Sequence, residues 1–167
     1  MRKAREIYVD AEYHITARAN RGEFIFNSAE NKDLFLSVVA RAKKKYNFKL
    51  RNFVIMDNHI HFLIQPKGAS GLSEIMQWIL SVFAISYNKK YDLKGHVWYD
   101  RFKSVVIRSY RQLIAAFKYI VENPVKVSLV KDPEEYNFGG LWFIKNRKFE
   151  LLDPPDDLLK SFFPDFF

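Results

Sequence analysis

Two apolar runs, FKLRNFVIM at residues 48–56 and HIHFLIQP at 59–66, are separated by only Asp57 and Asn58. Both are short and rich in β-branched and aromatic side chains, which marks them as strands rather than helices. Two strands joined by two residues pair antiparallel, because a parallel return needs a crossover of about a dozen residues or more. A β-hairpin therefore sits at the centre of whatever this chain builds. Aspartate and asparagine both tolerate left-handed backbone, so the junction is expected to be a tight turn of that geometry.

The flanking sequence supplies partners for the hairpin. EYHITARA at 12–19 alternates Tyr13, Ile15 and Ala17 against His14, Thr16 and Arg18, a strand pattern. SAENKDLFLSVVARAKKKYN reads as a helix, with Ser28 at its N-cap and Leu34, Phe35, Val38, Val39 and Ala42 as its apolar stripe. GLSEIMQWILSVFAISYNKKY gives a second long helix. Residues 94–99 and 103–107 are expected to form two further strands around Asp100 and Arg101. A last helix spans 109–123, opened by Ser109 and Gln112 as a capping box and stopped by Pro124. The order β-α-β-β-α-β-β-α predicts the α+β class, a ferredoxin-like antiparallel sheet with helices packed on it. Residues 1–130 are expected to be one catalytic unit. Beyond them the periodicity weakens, and 131–167 read as an extension that packs on the body, meets a partner or stays partly loose.

Composition narrows the functional classes. The chain has no cysteine, which excludes disulfides, thiolate metal sites and cysteine nucleophiles. No stretch approaches the ~18 apolar residues of a membrane span. The basic start MRKAREIYVD has no apolar segment behind it to make a signal peptide, so a cytoplasmic location is expected. Lys and Arg number 27 against 19 Asp and Glu, and the resulting +8 favours a polyanionic partner. The 16 phenylalanines and nine tyrosines mostly fill a core, with base stacking as the other use open to them.

Residues two apart in a strand share a face, so His59 and His61 present neighbouring imidazoles while Ile60, Phe62 and Ile64 point the other way. Imidazole is the commonest side-chain ligand of divalent metals near neutral pH. Two histidines still need a third ligand from elsewhere, and alone such a pair is more often structural, two rings hydrogen-bonded at a sheet edge. On a wheel of residues 109–123, Leu113, Ile114, Phe117, Ile120 and Val121 form the apolar stripe, and Arg111, Lys118 and Glu122 the solvent face. Gln112, Tyr119 and Asn123 fall on a third strip, with Ala116 beside them. Tyr119 and Asn123 are four residues apart and hence neighbours. Such a strip either meets a partner surface or leaves a solvated tyrosine.

The combination of YHITARANRGEFIF, FVIMDNHIHFLI, GHVWYDRFKS and YIVENPVKVSLV, spread over residues 7–130, resembles the HUH-type single-tyrosine transposases, specifically the REP-associated tyrosine transposase group. In the family's hairpin a proline usually stands where this chain has Asp57, and EYNFGGLW departs from the pattern, only loosely echoing an aromatic-Ser-Ser element that family members often carry. The resemblance implies that His59 and His61 hold a divalent metal, Mg²⁺ or Mn²⁺, with Asn123 completing the site. It implies that Tyr119 attacks a phosphate of single-stranded DNA. It implies DNA single strands and hairpins as partners, no membrane, and action as a homodimer or a monomer.

Arg18, Arg21, Arg101, Lys103 and Arg108 are the basic residues expected to meet DNA, with Trp98 as a stacking platform. RAKKKYNFK at 41–49 is the densest basic run, and it serves equally well as a solvated helix end. Three functions compete at this level. The first is a metal-dependent transposase that nicks and rejoins single-stranded DNA. The second is a transposase-derived protein that holds DNA hairpins without turnover. The third, an RNA-binding ferredoxin-like domain, leaves the paired histidines without a purpose.

Overall fold

Strand β1 (Glu12–Arg18) alternates half-buried and buried residues as its sequence demands. The computed structural model describes residues 7–167; residues 1–6 of the expected catalytic unit lie outside the described residues. β1 leads into helix α1 (Ala29–Lys45), whose first turn is capped by the Ser28 side chain accepting from Asn31 N–H. The hairpin follows as β2 (Phe48–Ile55) and β3 (His59–Pro66), then α2 (Leu72–Lys90), β4 (Lys103–Ile107) and α3 (Tyr110–Lys126). The sheet order is β2-β3-β1-β4, with every neighbouring pair antiparallel. Each of α1 and α2 carries the chain over one strand to the next but one, which is the ferredoxin-like arrangement.

β3 is central and buried on both faces, so it reads as a nearly continuous apolar run. On one face Phe62 meets Phe35 of α1, which packs in turn against Phe83 of α2. The other face carries His61, with Thr16 and Val54 beside it in register. Helix α3 lies over that second face. Asn52, buried on β2, ties it down by donating from Nδ2 to the Phe117 carbonyl while its Oδ1 accepts the Phe53 N–H.

Three expectations are corrected. Residues 94–99 form no strand, only a single bridge between Trp98 and Ala19. Both edges of β1 are already taken by β3 and β4, and Trp98 is drawn instead into the Phe26, Phe35 and Phe83 cluster, its indole N–H donating to the Leu80 carbonyl. The Asp57–Asn58 junction uses no left-handed residue. It is held from outside: Lys32 Nζ pairs with Asp57 at 2.9 Å, and the Asp57 and Asn58 carbonyls accept from Phe26 and Ala19. Finally, α3 does not stop before Pro124 but runs through it to Lys126. A proline inside a helix forfeits one backbone bond at a cost of roughly 3 kcal/mol. Burial of both Asn123 and Pro124 offsets it.

The C-terminal segment lies on this body. The Phe138 carbonyl accepts from Ile55 N–H and Gly139 bridges Val54, so the outer edge of β2 is covered. Tyr136 donates its hydroxyl to the Ile55 carbonyl, and Leu141 of α4 (Gly140–Lys145) is buried with Leu152. Asp153 accepts from Leu50 N–H and Lys43, Asp156 pairs with Arg51, and Leu159 of α5 (Asp157–Phe162) is fully buried. A Cβ at Gly140 would collide with Asn52 Oδ1. Gly140→Ala therefore has to displace the side chain that anchors α3. It is expected to lower unfolding free energy by about 1–3 kcal/mol in chemical denaturation, whereas Gly139→Ala, which meets only ordinary contacts, costs clearly less.

Candidate active site

Strand pairing brings five residues of the histidine face together. Arg18 lies opposite His59 and Thr16 opposite His61, while His14 is one step further along β1 on the same side. His59 and His61 have ring centroids 5.1 Å apart, and His14 sits 5.1 Å from His61 on the other flank. Tyr119 of α3 closes the group, its ring 5.3 Å from His61 and 5.7 Å from His14. Asn123, one turn on and buried, comes close enough to the His59 imidazole to act on its charge. The strip foreseen on the last helix thus faces the strand histidines, and Tyr119 remains 42% exposed, open to a ligand.

His61 Nδ1 lies 2.9 Å from His14 Nε2 and 3.1 Å from Thr16 Oγ1. In the tautomer whose Nδ1–H donates to His14, the other nitrogen keeps a lone pair. That atom, His61 Nε2, is buried and has no hydrogen-bond partner among the described residues. A buried polar atom without a partner is costly unless something else uses it. His59 Nδ1 contacts Asn58 Oδ1 at 2.7 Å. Burial, helped by the Arg18 charge, pushes the His59 pKa down to about 4 even though Asn123 and Asp57 oppose the shift. Burial, with His14, His59 and Arg18 adding to it, takes His61 to about 3. Burial lowers His14 as well. The three rings are therefore neutral at pH 7, the form in which imidazole can ligate a metal.

Among the described residues, no group of three or more His, Cys, Asp and Glu side chains gathers to hold a metal. The donor set that fits one is two neutral imidazoles and the Asn123 amide, with the orphaned His61 Nε2 as its clearest sign. Beside it, His14, Gln112 and Tyr119 line a shallow cleft of about 330 Å³ walled by Val105 and Ala116.

Residues 7–123 match the family model for IS200-like transposases. The chain belongs to that family. Its fold is also that of a solved REP-associated tyrosine transposase bound to a REP hairpin, with 20% identity, 88% of this chain and 86% of that one covered, and a TM-score of 0.74. A candidate transposase from Deinococcus radiodurans R1 is more distant at 15% identity, 74% and 97% coverage, and a TM-score of 0.51. A comparison with curated proteins finds no match.

The residues expected to meet DNA divide by position. Arg18 stands exposed beside His59, and Lys103 opens β4 opposite Thr16 on the same face. Arg21 and Arg101 sit in the turns next to that end. Arg108 lies at the other end of β4, where it donates to the Tyr8 hydroxyl and its backbone N–H donates to Gln112. Trp98 gives its N–H to the protein and packs one face on the core. Three neighbours of the site have contacts that the sequence did not reveal. His14 and Thr16 hold His61, which only the β1–β3 register reveals. Lys126 places its ammonium 4.9 Å from the Tyr119 ring centroid while pairing with Glu122, an arrangement that requires the helix to continue past Pro124.

The depressed histidine pKa values have a sign. A histidine kept neutral in the folded protein but titrating near 6.5 when unfolded contributes stability fully present above pH 6.5 and lost as pH falls toward 4 and 3. In metal-free protein, NMR titration should find the His59 and His61 imidazoles neutral at pH 5. The loss of stability between pH 6.5 and 4 should be smaller in His61→Gln than in the native chain. A His61 that titrates near 6.5 would contradict the site.

Proposed function

We propose that this protein is a transposase-like enzyme that cleaves and rejoins single-stranded DNA at hairpin or repeat ends, with Tyr119 as nucleophile. What carries the reading is the convergence of an exposed tyrosine on neutral, preorganised imidazoles. Membership of the IS200-like transposases and a fold shared with a protein solved on a REP hairpin support it. DNA as substrate also gives the +8 charge a purpose and makes the cytoplasm its place of action.

His59, His61 and Asn123 would hold the divalent ion, Mg²⁺ or Mn²⁺, and such an ion when bound stabilises charge on the phosphate oxygens. The rest is done by the chain. A tyrosine hydroxyl is a weak nucleophile at neutral pH, so its approach has to be fixed in advance. Packing against His61 and His14 sets the Tyr119 ring, and the Lys126 ammonium lies over its face. Arg18 and Lys103 offer cations to the DNA backbone on either side of Thr16. The phenol oxygen bonds to phosphorus as it loses its proton, the bond from phosphorus to the 3′-oxygen breaks, and that oxygen takes up a proton. The products are a 5′-phosphotyrosine and a free 3′-hydroxyl. The phosphotyrosine conserves the linkage energy, so rejoining by a 3′-hydroxyl needs no nucleotide triphosphate.

Tyr119→Phe removes one oxygen and keeps the ring. It should abolish the covalent protein–DNA band on denaturing gels while hairpin affinity stays within about threefold, under 1 kcal/mol. A Phe variant that still forms the band rules out Tyr119. Native protein that binds hairpins but forms no band with either metal leaves hairpin holding without turnover as the function. His59→Ala and His61→Ala should each remove metal-stimulated cleavage, and each should weaken Mn²⁺ binding measured calorimetrically by about 10-fold or more.

A further inference from the structure

A second concavity lies at the same end of β1 but towards α2. It is enclosed by α2 and residues 95–102 and measures about 760 Å³, the size of a small-ligand site. Its floor is apolar, built from Leu80, Ala84, Val97, Trp98 and Phe102. Because Trp98 donates its N–H to Leu80, it offers the cleft a ring surface rather than a donor. The rim is different. Gln77, Ser81 and His96 line it with side chains that have no hydrogen-bond partner among the described residues. Tyr99 is 73% exposed there, beside Asp100 and Arg101.

The cleft is wired to the candidate active site. Tyr99 N–H donates to the Arg18 carbonyl, Asn20 N–H to the Val97 carbonyl, and Ala19 N–H to the carbonyl of Asn58, the residue before His59. Its wall is therefore fixed to the strand end that carries the histidines. Arg18 and Lys103 stand on the histidine face at this end of β1, and Arg101 lines the cleft. A ligand of this cleft needs flat apolar faces, a hydrogen-bonding edge and a negatively charged tether leading towards His59. An unpaired nucleotide has all three.

We propose that this cleft binds one unpaired nucleobase of the strand that is cut, stacked on Tyr99 and the apolar floor, with its edge against Gln77 and Ser81. The cleft then selects which phosphate reaches Tyr119, so Gln77 and Ser81 are specificity-determining residues outside the catalytic group. This rests on the strand-cleavage reading above.

The test uses the full-length protein and a labelled DNA hairpin with single-stranded flanks, replaced one unpaired position at a time by an abasic residue. Fluorescence anisotropy gives affinity, and the denaturing gel gives adduct formation and its position. For native protein, one unpaired position should stand out with an affinity loss of about 10-fold when abasic. Ser81→Trp, on an exposed helix position, should fill the cleft. It should bind intact DNA about as weakly as native protein binds that abasic strand, and the abasic change should then cost nothing more. Gln77→Ala should relax preference for the base at that position while the adduct still forms, and the melting temperatures of both variants should match the native chain. Hairpin binding and adduct formation with a flat abasic scan overturn the cleft proposal and leave the strand-cleavage reading standing. So does a Ser81→Trp variant with the native scan. No DNA binding by native protein under any condition overturns both.

Discussion

The pairing of β1 with β3 is the contact on which the site depends. It sets Thr16 against His61 and Arg18 against His59, and it brings His14 within hydrogen-bonding distance of His61. A slip of one residue would turn His14, Thr16 and Arg18 to the opposite face and place Tyr13, Ile15 and Ala17 against the imidazoles. That slip is blocked by the core, since Tyr13, Ile15 and Ala17 are almost fully buried against α1 and α2. Hydrophobic burial on one face of the sheet thus holds polar geometry on the other.

The second requirement is that α3 be fixed in rotation as well as position, because Tyr119 and Asn123 occupy one narrow strip. Leu113, Phe117, Ile120 and Val121 drive the helix onto the sheet, but an apolar stripe alone leaves room to roll and slide. The Asn52 bond to the Phe117 carbonyl removes that freedom with a directional contact two residues before the tyrosine. Asn52 is itself wedged by the Gly140 backbone, so the C-terminal segment bears on the candidate site from the far side of the sheet edge. Remote residues can in this way govern where Tyr119 stands.

Electrostatics and packing act together at the histidines. Burial makes a protonated imidazole expensive, and Arg18 adds to the penalty, so His59 and His61 stay neutral through the physiological range. Neutral rings leave ring nitrogens available, and His14 with Thr16 determines which nitrogen of His61 that is. Arg18 and Lys103 stand on the same face beside them.

Local patterns in the sequence were enough to determine the strands at 12–18, 48–55 and 59–66, the three long helices, the ferredoxin-like class, the shared face of His59 and His61, and the strip of Tyr119 and Asn123. These follow from periods of two and 3.6 residues, which a local stretch displays by itself. Tertiary structure decided what depends on partners. Residues 94–99 had strand character, yet β1 had no free edge to offer and Trp98 found a better place in the core. Asp57 and Asn58 suited a left-handed turn, but Lys32 and the backbones of Ala19 and Phe26 hold a different one. Pro124 should have ended α3, yet packing carried the helix another turn and brought Lys126 over Tyr119. The partner of His14 stayed hidden for the same reason: it is a residue 47 positions away, and no local pattern records which strands will lie side by side.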